Sequence, residues 1–223
     1  MVVPIHNEPI DEVSYLCYIE NSAYKDCFVI DPFDAEAVMA KLDELKRKLS
    51  LIILTHEHYD HAAGINILVN ATGAKMLCSK TCAENVVHPK HDMSQLFEAM
   101  ISFHGVKINE KNKAERGFSI NQVDVTLDDH LDYRWDDVTL HLKLTPGHSP
   151  GSICIQASNA LFTGDSLLRD AAPILRFPGG SKEQFNTITL PYLRFLRDQD
   201  EDYIVYPGHG ESFKLKDSRF LST

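Results

Sequence analysis

Between Thr55 and His61 the chain reads Thr55-His56-Glu57-His58-Tyr59-Asp60-His61, three imidazoles and a carboxylate packed into six residues directly after an apolar run. Imidazole nitrogen and carboxylate oxygen are the ligands that Zn²⁺ and related divalent ions take when no thiolate is offered. The helical zinc motif H-E-x-x-H is absent, because the fourth position after His56 is Asp60. The cluster therefore belongs to a loop, in which alternate side chains can reach different ions.

The same arrangement recurs along the chain. Leu51 to Leu54 runs into Thr55-His56, Leu140 to Leu144 into Thr145-Pro146-Gly147-His148, Ala160 to Phe162 into Thr163-Gly164-Asp165, and Tyr203 to Val205 into Tyr206-Pro207-Gly208-His209. Each is an apolar strand, a turn residue, then a side chain able to hold a metal. Glycine at such turns permits positive φ and close backbone approach, which gathering ligands from separate strands onto one edge requires. His88, His91 and His104 fall in a segment with no such pattern, and His141 points to water from mid-strand; all four are set aside as ligands.

These stretches, His56-x-His58-x-Asp60-His61, Thr145 to Ser152, Gly164-Asp165-Ser166-Leu167 and Pro207-Gly208-His209-Gly210, resemble the metallo-β-lactamase-fold hydrolases, and among them the glyoxalase II-like branch. The resemblance spans nearly the whole chain and implies an α/β fold, a four-layer αβ/βα sandwich. It implies that His56, His58 and His148 hold one metal, that Asp60, His61 and His209 hold a second, and that Asp165 bridges them. Two divalent ions about 3.5–4 Å apart, zinc or else iron or manganese, can share a hydroxide and place it against an electrophile. Asp60 is the residue that would accept a proton. No G-x-S-x-G elbow is present to suggest a serine nucleophile.

The substrate expected is a small molecule, a thioester or an ester or lactone, since no dedicated acid is visible to protonate a poor leaving group. Arg169, Arg176 and Lys182 follow Asp165, so an acyl group bearing a carboxylate is expected, with residues 79–117 as a cover. Glyoxalase II enzymes add a helical domain that holds glutathione; 58 residues follow Asp165, too few for it. The loop after Gly164-Asp165-Ser166-Leu167 also departs from the family, with Asp170 and Pro173-Ile174 where a Gly-Arg pair commonly stands. The same fold hosts persulfide dioxygenases with one iron on two His and one Asp, a set that His58 or His56, His148 and Asp165 could supply. Hydrolysis is favoured because every second-site ligand is retained. A non-catalytic binding protein would be expected to have lost a ligand.

Positioning these residues requires an opening hairpin, Val13 to Glu20 and Cys27 to Asp31, then a helix capped by Asp34 with Val38, Leu42, Leu45 and Leu49 on one face and Lys46 to Lys48 at its C-terminus. A helix over Ala62 to Thr72 with Gly73 as its stop follows the histidine loop, then a short strand to Cys78. In 79–117, an insertion that could be a lid, a dimer contact or packing, Asp92 and Gln95 suggest a capping box for a helix carrying Leu96, Phe97, Met100, Ile101 and Phe103 and ending at Gly105. Strands over Val123 to Leu127 and Val138 to Thr145 flank an acidic loop. A helix from the capping box at Ser181 is interrupted or restarted at Pro191.

At 223 residues one domain spanning 1–223 buries roughly 70–75% of its unfolded surface, so no metal is needed to hold it together and the cluster is catalytic. The net charge of −10, from 32 acidic and 22 basic residues, argues against nucleic acid as partner and so against a nuclease. Five scattered cysteines, mostly in apolar runs, fit a reduced interior. Neither a signal peptide nor a membrane span is visible, and the chain reads as a soluble cytoplasmic protein.

Overall fold

Strand β4, Lys48–Ile53, shows how the sequence builds this fold. Ile52, with Leu54 just beyond the strand, joins an apolar cluster with helical residues, while Leu51 and Ile53 face a second cluster shared with another sheet. A strand covered on both faces reads as a continuous apolar run because its period-two alternation has apolar partners on either side. The register shifts between Cys27 and Phe28, and the bulged Ser50 is used as a peg: its hydroxyl donates to the Cys27 carbonyl at 3.2 Å and accepts from the Trp135 indole at 3.1 Å.

The computed structural model describes residues 1–8, 10–88, 90–103, 105, 107, 120, 123–199 and 202–222. The first sheet holds, in spatial order, β1 (Val2–Asn7), β2 (Glu12–Cys17), β3 (Asp26–Ile30), β4, β5 (Lys75–Ser79) and β6 (Val125–Leu127). The second holds β7 (His130–Trp135), β8 (Val138–Leu144), β9 (Ile153–Ala157), β10 (Ala160–Gly164), β11 (Ile204–Pro207) and β12 (Phe213–Lys214). One core lies between the sheets, centred on Phe28, Ile53, Leu140 and Phe162. A second joins the first sheet to α1 (Ala35–Leu45), α3 (Ile65–Thr72), α4 (Lys80–Asn85) and α5 (Ser94–Phe103), and a third joins the second sheet to α7 (Leu190–Gln199) and the C-terminal tail. The result is the expected four-layer αβ/βα sandwich.

Several local expectations change. β1 was not foreseen: Pro4 and His6 break its apolar pattern, which an edge strand tolerates because its outer groups face solvent. The first helix stops at Lys46, whose left-handed backbone (φ 53°) lets its N–H reach Asp43, so Leu49 lies in β4 and not on the helix face. Asp34 does cap it, accepting from the Ala37 N–H at 3.1 Å. The helix expected over 62–72 is two pieces, α2 (Tyr59–Ala62) and α3, hinged at Gly64, with Gly73 (φ 69°) closing α3 as expected. The acidic loop contains β7, which turns Leu131, Tyr133 and Trp135 inward and its charges outward. α5 begins after an Asx turn, with Asp92 accepting from the Ser94 N–H at 2.8 Å, instead of from the expected capping box. Met100's side chain, His104 and most of 106–119 lie outside the described residues. Ser181 caps α6 (Lys182–Gln184), which passes through a π-helical stretch, Phe185–Thr189, into α7, so the irregularity precedes Pro191. Among the described residues no helix is long and apolar enough to cross a membrane, and all five cysteines are buried and unpaired as disulfides.

Gly64 closes the turn from α2 into α3 by donating its N–H to the Pro32 carbonyl at 2.8 Å. A Cβ there would lie 2.6 Å from that same oxygen. Gly64→Ala should therefore cost about 1–3 kcal/mol, read as a lower denaturant midpoint with an unchanged slope.

Candidate metal centre

The ends of β4, β8, β10 and β11 come together at one edge of the sandwich, and each delivers the side chain its sequence predicts. His56 Nε2 and His148 Nε2 each stand 3.1 Å from His58 Nδ1. Three nitrogens bound to one tetrahedral zinc at 2.0–2.1 Å would be separated by roughly 3.3 Å, so this set matches a single ion. Asp60, His61 and His209 form a second group, with His209 Nε2 and His61 Nε2 at 3.5 and 3.9 Å from Asp60 Oδ2. Asp165 lies between the groups: Oδ2 is 3.5 Å from His148 Nε2 and 3.7 Å from His209 Nε2, and Oδ1 is 3.8 Å from His61 Nε2.

The outer nitrogens explain why the rings point this way. His148 Nδ1–H donates to the Ile174 carbonyl at 2.9 Å, His209 Nδ1–H to Ile10 at 3.2 Å, His61 Nδ1–H to Asp31 at 3.1 Å and His56 Nδ1–H to the Thr55 hydroxyl at 3.0 Å. With that nitrogen protonated, Nε2 carries the lone pair and faces inward. The buried atoms His61 Nε2 and Asp165 Oδ1 have no hydrogen-bond partner. Buried polar atoms are rarely left so, and a cation between them is the group the donor set fits. Gly208 permits the approach, since a Cβ there would meet Asp165 Oδ1 and stand 2.7 Å from His61 Cε1.

Three supporting carboxylates escaped the sequence reading. Asp31, at the end of β3 and in a left-handed conformation (φ 51°), accepts from the Thr55 N–H at 2.7 Å and the Thr55 hydroxyl at 2.6 Å as well as from His61. Glu57 accepts from Ser149 at 2.8 Å and Asn85 at 2.9 Å, tying the histidine loop to the His148 loop. Glu12 is fully buried, accepts from Asn7 at 2.5 Å and stands 3.9 Å from His61 Nδ1. None of the three carries a signal in the sequence, because each is defined by partners distant along the chain.

Electrostatics separates the two groups. Burial and the neighbouring rings hold His56 well below the ordinary imidazole range, and burial, aided by His148, pushes His58 down to about 3. For His61 and His209 burial acts in the same direction but loses: Asp60, Asp31 and Asp165 raise His61, and Asp165 with Asp60 raises His209 to about 9. Burial opposes ionisation of Asp60 and Asp165 as well, yet the surrounding imidazoles hold both below the usual carboxylate range.

A cavity of about 510 Å³ opens onto this floor. His58, Asp60, Asp165 and His209 meet it, and the remaining lining is Ile10, Asp11, Tyr59, Met93, Phe97, Ile101, Leu168, Ile174 and Phe177. Arg169, Arg176 and Lys182 are exposed and are not among the lining residues. Arg169 lies 3.6 Å from Asp170 and borders a separate cleft with Arg219. The carboxylate-bearing acyl group expected from these cations thus finds no Lys or Arg among the described lining residues. The exposed His141 pairs with Asp132 at 2.7 Å, away from the centre, as expected.

A sequence profile of the metallo-beta-lactamase superfamily matches residues 14–209, and the chain belongs to that superfamily. It is 26% identical over 210 residues to the probable polyketide biosynthesis zinc-dependent hydrolase PksB of Bacillus subtilis (strain 168), covering 93% of this chain and 78% of that protein. It is 28% identical over 217 residues to a hydroxyacylglutathione hydrolase of Aeromonas hydrophila, covering 97% of this chain and 68% of that one. The crystal structure of the BLEG-1 B3 metallo-beta-lactamase superposes with a TM-score of 0.81 over 100% of both chains at 22% identity, a shared fold.

Two expectations follow. Removing the charge behind His61, Asp31→Asn, should weaken zinc binding at the second group about 10–100-fold and at the first group by a smaller factor, through Thr55 and His56, resolved by two-site calorimetry. In chelator-treated protein near pH 7, His61 and His209 carry protons that a metal must displace. Zinc binding should therefore release protons and tighten as pH rises from about 6 towards 9, checked by calorimetry in buffers of different ionisation enthalpy.

Proposed function

We propose that the chain is a metal-dependent hydrolase acting on a thioester of a small acyl group. The observation that carries this reading is the convergence of His56, His58, His148, Asp60, His61, His209 and Asp165 on the floor of one cavity. Two divalent ions held there, zinc by the donor set or else iron or manganese, would lower the pKa of water and polarise the carbonyl oxygen. Among the described residues no Ser, Thr or Cys lines the cavity, and the attacking oxygen is assigned to solvent.

Asp60 meets the cavity and is held ionised by His61 and His209. It is assigned the role of orienting the attacking water by accepting a hydrogen bond; so acidic a carboxylate does not store the proton. The leaving group must depart with little help, because the lining offers no residue argued to protonate it. A thiolate meets that demand better than an alkoxide or an amide nitrogen. The names of the two relatives, a zinc-dependent hydrolase and a hydroxyacylglutathione hydrolase, support the reaction class.

Arg169 follows the lining residue Leu168, and Arg176 stands between Ile174 and Phe177. Together with Lys182 they are assigned to an anionic portion of the leaving thiol outside the cavity. Persulfide oxidation with one iron, for which His58 or His56, His148 and Asp165 are also at hand, is the less favoured reading because the second group of ligands is intact.

The test is to load the protein with zinc, iron or manganese and to screen acyl-glutathione and acyl-coenzyme A thioesters, lactones, a β-lactam and a phosphodiester. Thioester turnover is expected, and Asp165→Ala should lower it roughly a thousandfold, as loss of several kcal/mol of transition-state stabilisation implies, with circular dichroism unchanged. Turnover of the phosphodiester alone would refute the thioester reading.

A further inference from the structure

The walls above the metal centre are as informative as its floor. Met93, Phe97 and Ile101, all nearly fully buried, come from the start and one face of α5, while Leu168, Ile174 and Phe177 come from the stretch after Asp165. Neither set floats. The Tyr59 N–H donates to the Asp92 carbonyl at 2.6 Å, the Phe97 N–H to the Met93 carbonyl at 2.9 Å, and the Phe97 ring meets those of Tyr59 and Phe33 at 5.1 and 5.7 Å. Phe177 stands edge-on to His58 and His148 at 5.8 and 6.0 Å. The apolar walls are thus fastened to the ligand-bearing segments.

Positive charge meets the cavity at its floor, where His209 and the proposed metal ions sit, and not in the described walls above it. Asp11, Asp60 and Asp165 line the cavity, and among the described residues no Lys or Arg does. A second carboxylate at the far end of an acyl group, away from the metal-binding floor, would find no guanidinium or ammonium among the described wall residues, whereas an alkyl chain would find side chains of its own kind.

We infer that the cavity is an acyl-chain pocket that selects an uncharged aliphatic acyl group, with Met93, Phe97 and Ile101 of the α5 wall as specificity-determining residues. The assignment rests on the thioester reading for its chemistry, but the pocket itself does not. In a thioester whose thiol partner is polar, the alkyl chain is the part that gains by leaving water. Each methylene moved onto the apolar wall should tighten binding about fourfold until the cavity is filled.

Two measurements on the metal-loaded full chain keep pocket and reaction apart. Calorimetric binding of straight-chain carboxylates from acetate to decanoate reads the pocket alone, and kcat/KM for the matching acyl-coenzyme A series reads pocket and reaction together. Both should rise with chain length by about fourfold per methylene. Ile101→Trp, which fills the wall, should lower the decanoyl-to-butyryl ratio of kcat/KM about tenfold or more, the value of two methylenes, and Ile101→Ala should raise it, so that misfolding of the larger variant leaves a second reading. Succinate should bind no better than acetate. Chain-length-dependent binding without thioester turnover would uphold the pocket and sink the thioester reading. Turnover that is flat across the series, or tighter binding of succinate than of butyrate, would overturn the pocket.

Discussion

One buried carboxylate organises the catalytic edge. Asp31 is 2% exposed, and a charge so placed is costly unless it is fully hydrogen-bonded. Here it accepts from the Thr55 backbone, the Thr55 hydroxyl and His61. The consequences run outward. Thr55, fixed by Asp31, accepts the outer proton of His56, and its side chain fills the space where a Cβ at residue 164 would sit, with Thr55 Cβ only 2.9 Å away. Gly164 must therefore be glycine, and its positive φ of 48° turns the chain so that Asp165 follows at the centre. Three ligands from two separate stretches, His56, His61 and Asp165, depend on a single acceptor.

The two ligand groups differ in charge for a reason visible in the layers behind them. His56 and His148 are backed by neutral groups, a hydroxyl and a backbone carbonyl, His58 Nε2 has no hydrogen-bond partner, and only Asp165 of the carboxylates enters an ion-pair distance with any of the three. His61 has Asp31, Asp60, Asp165 and Glu12 within 3.1 to 3.9 Å. Burial raises the Glu12 carboxyl well above its ordinary range, and the His61 charge opposes that rise. The second group is consequently the more negative one, and it binds positive charge, protons or a metal, more avidly than a ring of neutral imidazoles would. The segment from Ile10 to Tyr15 supports this side twice, since its backbone clamps the 208–210 turn through Val13 to Gly208 and Gly210 to Asp11, while Tyr15 donates to the Pro207 carbonyl at 2.6 Å.

What the sequence makes legible and what it hides divide along a physical line. The seven ligand-type residues could be read because each follows a strand whose apolar run is long enough to recognise and a turn whose glycine or threonine is visible in one dimension. The sandwich could be read from the same runs, since Leu51 to Leu54 and Leu140 to Leu144 carry their own periodicity. β1 and β7 could not, because Pro4, His6, Asp132 and Arg134 occupy outward positions that only pairing explains. Asp31, Glu12 and Glu57 were silent for another reason: a carboxylate that supports a ligand is defined by contact with residues distant in sequence, as Asp31 is with His61, 30 positions away. The cations after Asp165 show the converse error. Proximity in sequence to a site residue suggested a role in the cavity, but the backbone turns these side chains out to solvent.

The centre therefore has two parts with different tolerances. The ligands stand at sheet edges, where the rings of His56, His61, His148 and His209 are each fixed by a partner that would be left unsatisfied if the ring moved. The walls come from connecting segments, in which a change of side chain alters the shape of the cavity without breaking a ladder hydrogen bond. A scaffold so divided can keep one hydrolytic floor and change what stands above it. The fastening of α5 to α2 sets the limit on that freedom: because the Tyr59 N–H and the Phe97 ring tie the wall to the residue next to Asp60, changes at the surface of the wall alter the cavity, whereas a change that shifts the helix as a body would carry the ligand with it.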